Sequence, residues 1–112
     1  MIERYDFGKM VVDGRAYSAD LVLLPGRINS SWWRQEGHTL SPADLQDVLA
    51  EEIEVLVIGT GFFGLMKVSS GVEQAAAAKG IQLVVEKTKT AVQSYNEHAA
   101  RKKTAGAFHL TC

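Results

Sequence analysis

The chain has 112 residues, 46% of them hydrophobic and 22% charged, the size and balance of one ordinary globular domain. That excludes a fibrous repeat, a disordered tail, and a cofactor domain joined to a separate substrate domain. Twelve Lys and Arg against thirteen Asp and Glu leave a formal charge of -1, which supplies no pull toward nucleic acid or an anionic membrane.

No apolar run approaches the roughly 20 residues of a membrane helix. The opening MIERYDFGKM has the layout of neither a secretory signal nor a transit peptide. The single cysteine, Cys112, cannot form an internal disulfide, in keeping with a reducing compartment. The expectation is one domain over residues 1–112, cytoplasmic, with no nucleic acid and no membrane partner.

In chain order, Asp13-Gly14 stands between two short apolar runs, and this pair suits a two-residue hairpin turn, predicting a hairpin over residues 3 to 18. ADLVLL reads as a third strand stopped by Pro25-Gly26. Residues 26 to 39, GRINSSWWRQEGHT, follow neither strand nor helix periodicity and read as an irregular loop. Within it Trp32 and Trp33 face opposite ways if extended, one plugging the core edge and the other open to a partner.

LSPADLQDVLAEE opens a helix: Ser41 is placed to cap, Pro42 takes the first helical position, Asp44 closes a capping box, and Leu40 can staple onto Leu45. Leu45, Val48 and Leu49 form its apolar stripe. EVLVIG and IQLVVE are nearly continuous apolar strands of the kind found at the centre of parallel sheets. Between them Ser70 and Glu73 predict a second capped helix that Gly80 ends. A third helix runs from Thr88 to about residue 103, with Ala91, Val92 and Tyr95 on its apolar face, and AGAFHL is a final strand.

VIGTGFFG carries Gly59, Gly61 and Gly64 in the spacing of a dinucleotide fingerprint, and Glu86 ends the following strand, where a ribose-binding acid is expected. The mechanics disagree. A pyrophosphate needs a helix that starts within the glycine loop, whereas the cap signals here come at Ser69 and Ser70. Phe62, Phe63, Leu65, Met66 and Val68 in between are bulky and apolar, and are expected to pack beneath a neighbouring loop, sheltered from water. No dinucleotide or other cofactor is therefore expected. The backbone amides of Gly59, Thr60 and Gly61 remain able to form an anion nest at the end of a parallel strand.

His109 and Cys112 alone do not make a zinc site, and no convergence of His38 or His98 on them is readable, so no metal is expected. No nucleophile elbow, zinc-protease helix or phosphate-binding loop is present, and no catalytic set is assigned.

Taken together and in order, GHTLSPADLQDVL, VLVIGTG, LMKVSS, TKTAVQSYNEHAA and GAFHLTC resemble the small Mth-type domain-of-unknown-function family over nearly the whole chain. That family includes the adipogenesis-associated Mth domain protein of animals and, more distantly, a mitochondrial complex I assembly factor. The closing FHLTC is similar to the adipogenesis-associated branch in particular. The resemblance implies a three-layer α/β fold with a central mixed sheet, and a partner-binding or assembly role with no established reaction.

The function expected is thus a non-enzymatic protein-interaction or assembly-factor-like domain, its contact surface combining Trp32 and Trp33 with Phe62 and Phe63. The alternative is a small-molecule or anion-binding domain, an enzyme among the options, with Gly59, Thr60, Gly61, Tyr95, Asn96 and His109 around a pocket. The partner expected is a protein, and homo-oligomerisation stays open.

Overall fold

A computed structural model describes residues 1–112. Strands β1 (Ile2–Asp6), β2 (Lys9–Val12) and β3 (Arg15–Tyr17) form an antiparallel meander. Asp13 (φ 49°) and Gly14 (φ 81°) take the left-handed angles that a tight two-residue turn demands, and Val12 pairs with Arg15 across it. A second turn at Phe7-Gly8 folds β1 back on β2, so the single hairpin expected over residues 3 to 18 is two hairpins sharing a strand.

β4 (Leu21–Leu24) turns at Pro25-Gly26 into β5 (Arg27–Asn29), with Leu24 opposite Arg27. The segment expected to be irregular from residue 26 therefore starts as a strand. It becomes irregular after Asn29 and ends at β6 (Thr39–Leu40).

The helix predicted from Ser41 is shorter and tighter than its signals suggest: a 3₁₀ turn over Pro42–Leu45 followed by one α-helical turn, α1 (Gln46–Leu49). The Asp44 carboxylate accepts from the Ser41 amide at 2.9 Å and the Ser41 hydroxyl at 3.0 Å. It also takes the Gln35 amide at 3.1 Å, which ties the turn to the preceding loop. Leu40, Leu45 and Val48 are buried together.

β7 (Val55–Thr60) is followed by β8 (Lys67–Val68), which pairs with β6, then by α2 (Ser70–Ala78), β9 (Gln82–Glu86), α3 (Thr88–Ala99) and β10 (Thr104–His109). The cap of α2 is Ser69 rather than Ser70, with no side-chain hydrogen bond to close the predicted box. α3 ends at Ala99, one turn before the predicted limit.

The main sheet runs β5-β4-β10-β7-β9, with β10 antiparallel to β4 and parallel to β7, and β7 parallel to β9. The strand predicted as central from IQLVVE is in fact the edge, with Gln82 and Val85 exposed and Leu83, Val84 and Glu86 half-covered. The last strand, TAGAFH, occupies the centre, with all six residues buried. Its small residues explain this: a Cβ on Gly106 would lie 2.9 Å from Tyr95 Cδ1, so the bare backbone is what lets α3 pack down.

Side chains alternate between two faces of this sheet. Val22, Leu56, Ile58, Ala105 and Ala107 meet α1, α2 and Trp32 on one face. Leu21, Leu23, Val55, Val57, Phe108 and Leu110 meet α3 and the meander residues Ile2, Met10 and Val12 on the other. Burying each large aliphatic side chain contributes about 1.5–3 kcal/mol. No helix is long and apolar enough to cross a membrane.

Candidate functional site

The parallel strands β7 and β10 end side by side, with Thr60 opposite His109. Beyond them the chain bends sharply at Gly61 (φ 107°). A Cβ at Gly61 would sit 2.7 Å from the Thr111 carbonyl and 2.8 Å from the His109 ring, and one at Gly59 would sit 2.7 Å from Thr88 Oγ1 and 2.9 Å from Phe108. Both glycines are thus required by close approach of this chain's own atoms.

The amides in the bend are also engaged. Gly61 donates to Thr88 Oγ1 at 2.9 Å, Thr88 Oγ1 donates to the His109 carbonyl at 2.7 Å, and the Phe62 amide donates to Thr111 at 2.8 Å. Gly59 and Thr60 lie within β7, paired on both sides as far as Gly59. α2 starts only at Ser70, and the Glu86 carboxylate accepts from Ser94 on α3.

The bend throws Phe62 and Phe63 outward. They are 41% and 56% exposed, which corrects the expectation that they shelter from water. The space beneath is already filled: Leu110 accepts from the Gly8 amide and the Tyr5 hydroxyl, each at 2.8 Å, and Thr111 fills the gap beside Gly8 and Gly61. The two rings stack edge-on at 5.1 Å, and Phe7, 52% exposed at the tip of the β1–β2 turn, meets Phe62 at 5.6 Å and Phe63 at 6.3 Å. Leu65 is exposed as well. Phe7 escaped the sequence reading, although an aromatic next to a turn glycine is a signal for an exposed tip.

Under the Trp loop lies a buried polar cluster that sequence reasoning missed. His109 Nδ1 is 2.7 Å from Asp20 Oδ2, so Nδ1 carries the proton and donates to the carboxylate. Arg34 donates to the same oxygen at 2.8 Å and to the Gly37 carbonyl at 2.9 Å. Asp20 Oδ1 accepts from the Leu110 amide at 2.8 Å.

Burial alone would raise the pKa of Asp20; the bonds from His109, Leu110 and Arg34 outweigh it and hold the carboxyl below its ordinary value. His109 Nε2 is buried without a partner, and the bonds of the cluster clamp the loop and tail to the sheet. Above it Trp32 is buried, donates through Nε1 to the Asp44 carbonyl at 2.9 Å, and carries the Arg34 guanidinium over its ring at 4.8 Å.

The six residues named for a pocket are not gathered around one space. Thr60 and His109 project to the face of the sheet bearing Trp32, whereas Tyr95 and Asn96 lie on α3 across the other face. Tyr95 packs edge-on against Phe108 at 5.8 Å. Asn96 holds the backbone of Ile2, accepting its amide at 2.9 Å and donating to its carbonyl at 2.8 Å. Of the tryptophans, Trp33 is the open one, 75% exposed; it borders a groove of about 300 Å³ beside α1 and makes no ring contact with the phenylalanines.

Residues 2–109 match the family described as protein of unknown function (DUF498/DUF598), and the chain belongs to that family. Among solved structures it is similar to a conserved hypothetical protein from Pyrococcus horikoshii OT3, with 27% identity and a TM-score of 0.84, covering 100% of this chain and 99% of that one. It is also similar to the protein described as MT938, with 26% identity and a TM-score of 0.82 over 100% of this chain and 98% of that one. A Mth938-like domain of Bordetella pertussis shares the fold at 18% identity and a TM-score of 0.75, over 98% and 85% of the two chains. The Mth-type resemblance read from the sequence is thereby established, as is the α/β fold with its mixed central sheet, N-terminal antiparallel strands and three helices.

Proposed function

We propose that residues 1–112 work as a single protein-interaction domain of the assembly-factor kind, with no reaction of its own, and that Phe7, Phe62, Phe63 and Leu65 form its docking surface. One observation carries this reading: three phenylalanines from two separate turns, 41% to 56% exposed, gather into a single cluster of rings above a core that has no room for them. Clustered exposed aromatics are the composition of binding hot spots. The free, exposed thiol of Cys112 is in keeping with a cytoplasmic setting.

The rim suggests the partner's chemistry. Lys87 lays its stem against Gly64, and Lys9 follows the Phe7-Gly8 turn. The nearby acids are occupied, Asp6 with Arg4 at 2.6 Å and Glu86 with Ser94. An apolar protein segment flanked by Asp or Glu complements this surface.

A photo-crosslinking benzoylphenylalanine at position 63 tests the proposal. The expected result is a defined adduct to one protein, mapped to an apolar segment with acidic neighbours, and lost when Phe7 and Phe62 are changed to Ser. Those exposed substitutions should cost no more than about 1 kcal/mol of stability, so a loss of adduct reports docking and not unfolding. Adducts that survive the two substitutions, or none above the level of a crosslinker placed at Gln93 on the open face of α3, would count against it.

A further inference from the structure

The outer strands β3 and β5 belong to different sheets and do not pair, and between them lies a cleft of about 490 Å³. That is the size of a small-molecule site. Val12 and Leu23 lie at its base, the exposed Ile28 adds apolar lining, and its walls carry Tyr17 from β3 and Tyr95 from α3. Arg15 and Arg27 stand on the two facing strands.

Arg15 forms no ion pair, whereas Arg27 pairs loosely through Nε with Glu51 at 3.7 Å, too far for a hydrogen bond, which leaves its terminal guanidinium nitrogens able to donate to a ligand. The Asp13 carboxylate also lines the cleft, paired with the Met1 ammonium at 2.7 Å so that these two charges offset each other. Two arginines on facing strands beside an apolar lining therefore favour an anion with an apolar body.

We propose that this cleft binds a small organic carboxylate, its anionic end between Arg15 and Arg27 and its hydrocarbon body against Val12, Leu23 and the two tyrosine rings. The planar guanidinium fork matches a carboxylate with two parallel hydrogen bonds. Tyr95 adds a neutral donor: burial, and then the charge of Asp13, raise its pKa above the ordinary phenol value, so the hydroxyl keeps its proton. A bare inorganic anion would meet the arginines but leave the apolar lining uncovered.

Titration of the full chain with hydrocinnamate, followed by proton–nitrogen NMR, tests the site. Saturable shifts are expected on β2, β3, β5 and around Tyr95. Phenylpropanol, the neutral counterpart, and the double variant Arg15→Gln/Arg27→Gln should each bind about tenfold more weakly or worse, as loss of charged hydrogen bonds predicts. The unliganded variant should keep its melting temperature, because both side chains are exposed.

Equal binding of the alcohol, equal binding by the double variant, inorganic phosphate binding as tightly as hydrocinnamate, or no saturable shift on these strands would each overturn the proposal. Phe63→Ser should leave hydrocinnamate binding unchanged, which separates this cleft from the docking surface.

Discussion

Asp20 accepts three hydrogen bonds from groups that are remote in sequence, and the His109 and Arg34 side chains it holds are 8% and 6% exposed. Asp20→Asn removes the charge that makes burial of Arg34 tolerable, and is expected to cost about 3 kcal/mol in urea unfolding at neutral pH. The pH dependence has a definite sign. The folded pKa lies below the unfolded value near 3.8, so the stabilisation is fully present above that value and is lost as pH falls through the folded pKa. Wild type should therefore lose stability more steeply than Asp20→Asn on acidification below about pH 4.5; parallel acid profiles would remove Asp20 from this role.

At the scale of elements, the meander is held to α3 by few polar contacts, and Asn96 supplies two of them through the backbone of Ile2. Both groups of Ile2 would be left without partners in Asn96→Ala, a loss of about 1–3 kcal/mol. The loss should be local. Amide exchange across β1 and β2 is expected to accelerate while β7 and β10 stay protected, since the latter pair with each other in the centre of the main sheet. Uniform acceleration over all strands would show instead that the meander and main sheet open as one unit.

For the whole molecule, the order of the chain and the order of the sheet conflict in a consequential way. β10, the last strand in chain order, lies between β4 and β7 and contributes to both cores. A chain ending at Lys103 leaves those two strands with an unfilled gap between them, and is expected to show no cooperative thermal transition. A peptide of residues 104–112 added in trans should restore one. A cooperative transition in the shortened chain alone would mean that β4 and β7 can close on each other.

Which of Trp32 and Trp33 is buried was decided by the fold, whereas local signals in the amino-acid sequence were enough for the Asp13-Gly14 turn, the strand β7, the stop at Gly80 and the helix α3. Each depends on propensity or periodicity over a few neighbours, and the ordered set of motifs sufficed to reveal the family. The exposure of Phe62 and Phe63 was not recognisable, because nothing near them in the chain tells that Leu110 and Thr111 fill the space below. The place of β10 at the centre and β9 at the edge was equally hidden, since apolar runs report burial capacity and not which strands pair. The tertiary structure alone brought Asp20 to His109 across 89 residues, Phe7 to Phe62, and Arg15 to face Arg27. Such meetings are decided by long-range strand pairing, whose free energy is shared over the whole core and leaves no local trace in the residues that meet.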